Sequence, residues 1–275
     1  MTLSSGSLSY FLSHAWDWDL SKIMGCLGLL ILFSFWTKFR PVWNSFLFFS
    51  GVILLFVSLS SPLDALSDEY LFSAHMLQHF LLLMIVPPLL ILGMPKDATE
   101  RLLEIKWIGK SEHRLNRPIV VWIVANLILW IWHIPSLYDW AVRSEGVHIF
   151  EHLTFLISAT VFWWPVLAPI EKSRLSLPAS MLYLFLAALS NMSLGIILTF
   201  ADQAIYQPYF SPEDSWKILS VLRNEFHLNP LADQKMGGAL MWVFGGVVFL
   251  AVILVQLGRW YQVEELQDLN AMEQV

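Results

Sequence analysis

Two pairs of histidines have the spacing from which chemistry could come. His75 and His79 fall in AHMLQH, and His148 and His152 in HIFEH, each pair four residues apart. On a helix, residues four apart share a face with an axial rise of about 6 Å, and in this way one helix can offer two nitrogens to one metal ion. A fifth, His133, lies in LWIWHIPSLY. All five sit in apolar sequence, where an imidazole is costly unless it faces protein, water or an ion. A lone histidine of this kind is read as a structural group bonded to a carbonyl. Two pairs and a fifth at one depth reverse that reading. His75, His79, His133, His148 and His152 are expected to form a metal or haem site.

Groups able to tune that site accompany them. Met76 and Met241, with Met192, offer thioether sulfur; soft sulfur beside imidazole suits Cu(I), whereas hard ions want more oxygen. Core packing is the simpler reading of any one of these methionines. Gln78 stands on the turn between His75 and His79. Glu151, next to His152, can orient an imidazole as a carboxylate partner does or pair with Arg143. Asp233 and Gln234 precede the glycine-led run GGALMW, where Gly237 and Gly238 permit close backbone approach.

The elements that must position these residues are membrane spans. Of 275 residues, 57% are hydrophobic and 14% charged, too little charge to cover a water-facing surface. That excludes a soluble domain and gives no surface for nucleic acid. A crossing takes about 20 apolar residues, and seven such stretches occur, at about 20–39, 43–60, 72–94, 118–137, 147–169, 178–201 and 237–258. The fold class is an all-α integral membrane protein, a single bundle of seven transmembrane helices over residues 1–275. The linkers after spans one, three and five, with the tail, hold eleven Lys and Arg, and the opposite side holds five. Such a bias places the N-terminus outside and the C-terminus in the cytoplasm. In this topology the five histidines lie within about 12 Å of the outer face at ~1.5 Å per residue. Aromatic residues such as Trp36, Trp43, Trp107, Trp140, Trp242 and Trp260 gather near span ends, as interfacial anchors do.

Local signals add detail. Pro87-Pro88 removes two backbone donors, so a kink is expected in span three, with neighbours satisfying the carbonyls of Leu83 and Met84. Residues 97–107 open with Asp97 three before Glu100, the pattern of a capping box on a short amphipathic helix. Residues 211–227 carry Ser, Pro, Glu213 and Asp214 ahead of Trp216, Leu219, Leu222 and Phe226, which predicts an outer helix lying on the membrane or over the span ends. One cysteine, Cys26, excludes internal disulfides and a thiolate cluster. Residues 1–19 contain no Lys or Arg, so no cleavable signal is expected and span one is expected to direct its own insertion.

The motifs SPLD (61–64), AHMLQH (74–79), PPLLILGMP (87–95), WHIPSLYD (132–139), HIFEH (148–152), FWWP (162–165) and DQKMGGALMW (233–242) resemble the multi-span CtaG family of cytochrome c oxidase assembly factors, first associated with caa-type oxidases. The resemblance covers about residues 60 to 258. It implies a bacterial cell-membrane protein, not an enzyme, that helps build a copper-containing oxidase. Its partners would be oxidase subunits, an extracytoplasmic copper donor and membrane lipid. Copper itself, as Cu(I), is inferred from the histidines and their side of the membrane. Three other readings stay open on the residues alone. One is a haem-binding electron-transfer protein, with axial histidines from different helices. Another is a di-iron hydroxylase, although no His-x-x-His-His motif occurs. The third is a metal-free assembly scaffold.

Overall fold

In the computed structural model, residues 2–38, 44–115 and 117–273 are described, and every element among them is a helix. In chain order these are α1 (Thr2–His14), α2 (Leu20–Trp36), α3 (Ser45–Ser60), α4 (Pro62–Tyr70), α5 (Phe72–Leu92), α6 (Lys96–Glu104), α7 (Lys106–Leu115), α8 (Pro118–Trp132), α9 (Pro135–Arg143), α10 (Glu145–Leu167), α11 (Leu177–Thr199) and α12 (Pro230–Gln267). Four of them, α5, α10, α11 and α12, are long and apolar enough to cross a membrane. The pairs α3–α4 and α8–α9, bent by 41° and 73°, bring the number to six if each pair is one crossing. The remaining expected span, residues 20–39, corresponds to the 17-residue apolar helix α2. The junction at residues 39–43, where the sequence places the end of span one and the start of span two, lies outside the described residues, with Arg40 and Trp43. The side chains of His113 and Arg114 do so as well. Large apolar side chains stand exposed along these helices, among them Ile31, Phe35, Ile119, Ile157, Leu182 and Val247, as a lipid-facing surface requires.

Proline sets both bends. The residue before a proline is pushed out of the helical region; Ser61 and Ile134 are extended there, with ψ of 173° and 125°. The helix expected over 118–137 therefore stops at Trp132, and His133 becomes its C-cap. In α5 the Pro87-Pro88 pair produces no sharp break. Residues Leu81–Ile85 widen into a π turn, and the indole of Trp163 donates to the Leu83 carbonyl at 2.9 Å. The neighbour that the missing donors call for is thus a tryptophan of α10.

Two linkers differ from the sequence pattern. Helix α6 begins at Lys96 with Pro95 as its uncapped N-cap, so Asp97 and Glu100 form no capping box, and a break at Ile105 separates α6 from α7. The stretch 211–227 is not one helix. Asp214 Oδ1 accepts from the N–H groups of Ile218 and Leu219 at 2.8 and 2.9 Å, and Asp214 and Lys217 take left-handed φ of 56°. A side chain that captures backbone donors in this way competes with the helix. Only a short turn, Val221–Glu225, follows. Trp216, Ile218 and Leu222 pack on Phe11 and Tyr70, so the segment folds over the helix ends.

Two ends result. At one, the 200–230 segment is tied to α4 and α9: Tyr209 donates to the Ser67 carbonyl at 2.9 Å, and Asp139 accepts from the Gln207 N–H at 3.2 Å. At the other, Arg101 donates to the Trp36 carbonyl at 2.8 Å and Ser173 to Glu112 at 2.5 Å. Helices α11 and α12 touch backbone to backbone: a Cβ on Gly195 would stand 2.8 Å from the Gly238 carbonyl oxygen. Small residues give membrane helices this close contact.

Candidate metal centre

Helices α5 and α10 run side by side and turn their histidine faces toward each other. Within each helix the i, i+4 spacing brings the rings together, edge-on for His75–His79 and tilted for His148–His152, with centroids 4.1 Å apart in each pair. Across the helices, His75 and His148 are 5.1 Å apart, and His79 and His152 5.4 Å. Glu151 stands between them. Its Oε2 lies 3.8 Å from His75 Nε2 and its Oε1 3.7 Å from His79 Nε2. These separations exceed a hydrogen bond, yet they suit two ligands that share one ion at about 2 Å each. One ligand atom from each of His75, His79, Glu151 and His152 falls within 4.8 Å of the others.

The polar atoms here lack partners. Among the described residues, eight buried side-chain atoms of this cluster have no hydrogen-bond partner: both ring nitrogens of His75 and of His79, both Glu151 oxygens, and Nε2 of His148 and of His152. Buried polar groups are nearly always satisfied, and a buried carboxylate without a countercharge is costlier still. A cation among these atoms would satisfy both needs.

A buried, largely aromatic cluster packs beside the site, and Phe72, Tyr138, Phe155, Tyr206, Tyr209 and Met241 belong to it. Tyr209 gives its hydroxyl hydrogen to the Ser67 carbonyl, so Tyr138 donates to Tyr209 at 2.8 Å, and the Tyr138 ring lies 5.0 Å from that of His75. Burial pushes the phenols of Tyr206 and Tyr209 above their ordinary range, so both stay protonated and donate. A cleft of about 360 Å³ lined by Lys96, Arg174 and Arg259 opens at the opposite end, away from the imidazoles.

His133 stands at the edge. Its Nδ1 bonds the Leu129 carbonyl at 2.7 Å, and its Nε2 points at Met76 Sδ, 3.5 Å away. Its ring is 6.1 Å from that of His79. The other expected accessory groups have structural partners. Gln78 donates to the Ser58 carbonyl at 2.8 Å and to Asp64 at 2.6 Å, and accepts from Ser67 at 2.9 Å. Asp233 accepts from the N–H groups of Phe72 and Ser73 at 2.7 and 3.1 Å. It thereby caps α5 from another helix, satisfying donors that Leu71 cannot reach and fixing the turn that carries His75. Gln234 accepts from the Ile205 N–H at 2.6 Å. Met241 packs with Met76 and Phe72, and Met192 packs in the neighbouring cluster around Phe162 and Phe249.

Residues 28–263 match the model of the cytochrome c oxidase caa3 assembly factor family, Caa3_CtaG. The chain belongs to this family. The matched region holds all five clustered histidines and Glu151, so the geometry above lies within the caa3 assembly factor portion. Uncharacterized proteins of Mycobacterium bovis and Mycobacterium tuberculosis are each 22% identical over 269 residues, and one of Mycobacterium leprae is 26% identical over 237. These alignments cover 88%, 88% and 80% of this chain but 39%, 39% and 34% of the relatives. The chain thus spans about two-fifths of the length of the relatives it matches. No solved structure matches it.

One residue that the sequence motifs did not single out lies beside the histidine cluster. Asp68, on the π turn that ends α4, brings its Oδ1 to 3.4 Å from His148 Nδ1. It lies seven residues before His75 in LSDEY, a run rich in acidic and hydroxyl residues, beyond the 41° bend at Pro62 and within the π turn Leu66–Tyr70.

Proposed function

We propose that this protein is a membrane assembly factor for cytochrome c oxidase that holds copper in the His75, His79, Glu151 and His152 group and passes it to the oxidase. His148 and His133 serve as flanking imidazoles. The observation that carries this reading is that one ligand atom from each of these four side chains falls within 4.8 Å of the others, in a cluster where eight buried nitrogen and oxygen atoms have no hydrogen-bond partner. Imidazole binds copper in either oxidation state. A single carboxylate in a low-dielectric site is balanced by a single positive charge, which selects Cu(I) over a divalent ion that would leave net charge buried. A haem would need axial nitrogens on opposite faces of a wide slot, whereas the pairs His75–His79, His148–His152, His75–His148 and His79–His152 lie 4.1–5.4 Å apart, too close for a macrocycle between them.

The reading includes seven crossings of a bacterial cell membrane with the histidine end outside. Its support is that α1 packs at the histidine end while Arg259 of α12 lies at the basic end; termini at opposite ends require an odd number of crossings. Lys-rich linkers at the end remote from the histidines fit the positive-inside bias. In a Cys26→Ser background, Glu145→Cys is expected to react with an impermeant thiol reagent in intact cells, and Lys110→Cys only after permeabilisation. The opposite pattern would invert the topology.

Copper binding is tested by titrating the purified protein with Cu(I) against a competing chelator. One ion per chain is expected, with no strong haem absorption in the visible region. Stoichiometric haem with no copper uptake would replace this reading by that of an electron carrier.

A further inference from the structure

We propose that Asp68, His75 and His148 form an outer copper position through which the ion enters and leaves the inner group of His75, His79, Glu151 and His152. The proposal rests on the copper-handling reading above. One ligand atom from each of Asp68, His75 and His148 falls within 4.8 Å of the others. Their side chains descend from solvent inward: Asp68 is 44% exposed, His148 11% and His75 0%.

His75 belongs to both groups. Its Nε2 faces Glu151, while its Nδ1 is buried and has no hydrogen-bond partner. His148 likewise turns Nδ1 to Asp68 and keeps a buried, unpartnered Nε2. Each of these two rings therefore has one nitrogen toward a carboxylate and another without a partner.

The energetic reason for such a path is desolvation. A bare cation moved directly from water into the buried inner group would lose its ligands before gaining new ones, at a cost of many kcal/mol. Stepwise exchange avoids this. Asp68 and His148 take the ion first and His75 joins them. The bonds to Asp68 and His148 then break as bonds to His79, Glu151 and His152 form, and His75 exchanges its Nδ1 bond for one through the Nε2 that faces Glu151. Copper keeps its oxidation state throughout, and the ligand atoms simply exchange. Lys22, Asp17 and Glu145 all lie close enough to act on Asp68 electrostatically, and Ser67 Oγ donates to Asp68 Oδ1 at 3.0 Å. Carboxylates outnumber the single ammonium at this rim, and a net negative rim raises the local concentration of cations. Lys22 pairs with Asp17 and Asp64 at 2.6 Å each, and Asp68 is the carboxylate that faces His148.

The test follows Cu(I) transfer by stopped flow, from a coloured chelate to the full-length protein and back to excess chelator. Asp68→Asn is expected to slow loading and release at least tenfold, with affinity changed less than threefold because the inner ligands are untouched. Asp68→Glu should recover at least half of the lost rate. Native rates in Asp68→Asn would overturn the proposal, since the ion would then not pass Asp68. So would a parallel loss of affinity and rate, which would make Asp68 part of the resident site or of the fold. Failure of the native protein to take up copper would instead remove the copper-handling reading, and this path with it.

Discussion

Replacing His75 and His79 together by alanine is expected to weaken Cu(I) binding at least 30-fold, about 2 kcal/mol. These residues supply two of the four members of the inner group, and no other described side chain uses their nitrogens. The remaining Glu151 and His152 could hold the ion only weakly. The fold should tolerate the change, because Asp233 anchors α5 through the backbone of Phe72 and Ser73 and not through an imidazole. Removing polar atoms that lack partners forfeits packing but no hydrogen bond. Met241→Leu, which alters only the packed cluster beside the site, should keep native affinity. The measurement is a chelator competition titration on both variants, with helical content and elution volume as controls. Native affinity in the double variant would leave these histidines as structural groups.

What could be read from the residues alone was the set of local relations. Four-residue spacing placed His75 with His79 and His148 with His152 because helix geometry needs no partner to be known. The apolar stretches likewise act within one segment, whereas the kink expected at Pro87-Pro88 is taken up by a π turn at Leu81–Ile85. The unread part depended on partners far along the chain. Asp233 and Gln78 are unusual polar residues in apolar surroundings, but their bonds span 161 and 20 residues, and no spacing rule names such partners. Asp68 was missed because a 41° bend and a π turn, not a motif, aim it at His148. The outer helix over 211–227 failed for a physical reason too: the apolar spacing there was helical, but Asp214 took the N–H groups the helix needed. Span four stopped early for the same kind of reason, since Pro135 holds Ile134 extended. Met76, weighed as one of several soft ligands, points its sulfur at His133, a pairing that sequence spacing across 57 residues does not give.

In cells, His79→Ala and His152→Ala are each expected to lower terminal oxidase activity several-fold or more per inserted molecule, with the protein itself present at normal abundance. Both side chains are almost fully buried within the bundle, so alanine deletes a donor atom while the apolar helix remains fit for insertion. A metal-free scaffold predicts the opposite relation, with activity following abundance and indifferent to the imidazoles. Added copper separates the two further. Where a ligand has been lost, higher copper restores occupancy by mass action, so activity should recover in part. A lost docking surface gains nothing from copper. Asp233→Ala supplies the comparison: it removes the cap on α5 and should reduce abundance, with no rescue by copper. The quantity to measure is oxidase activity divided by membrane-inserted protein, with and without copper, for all three variants. Normal activity in both histidine variants at normal abundance would sink copper delivery as the family member's step, because the two rings that close opposite sides of the inner group would then be dispensable.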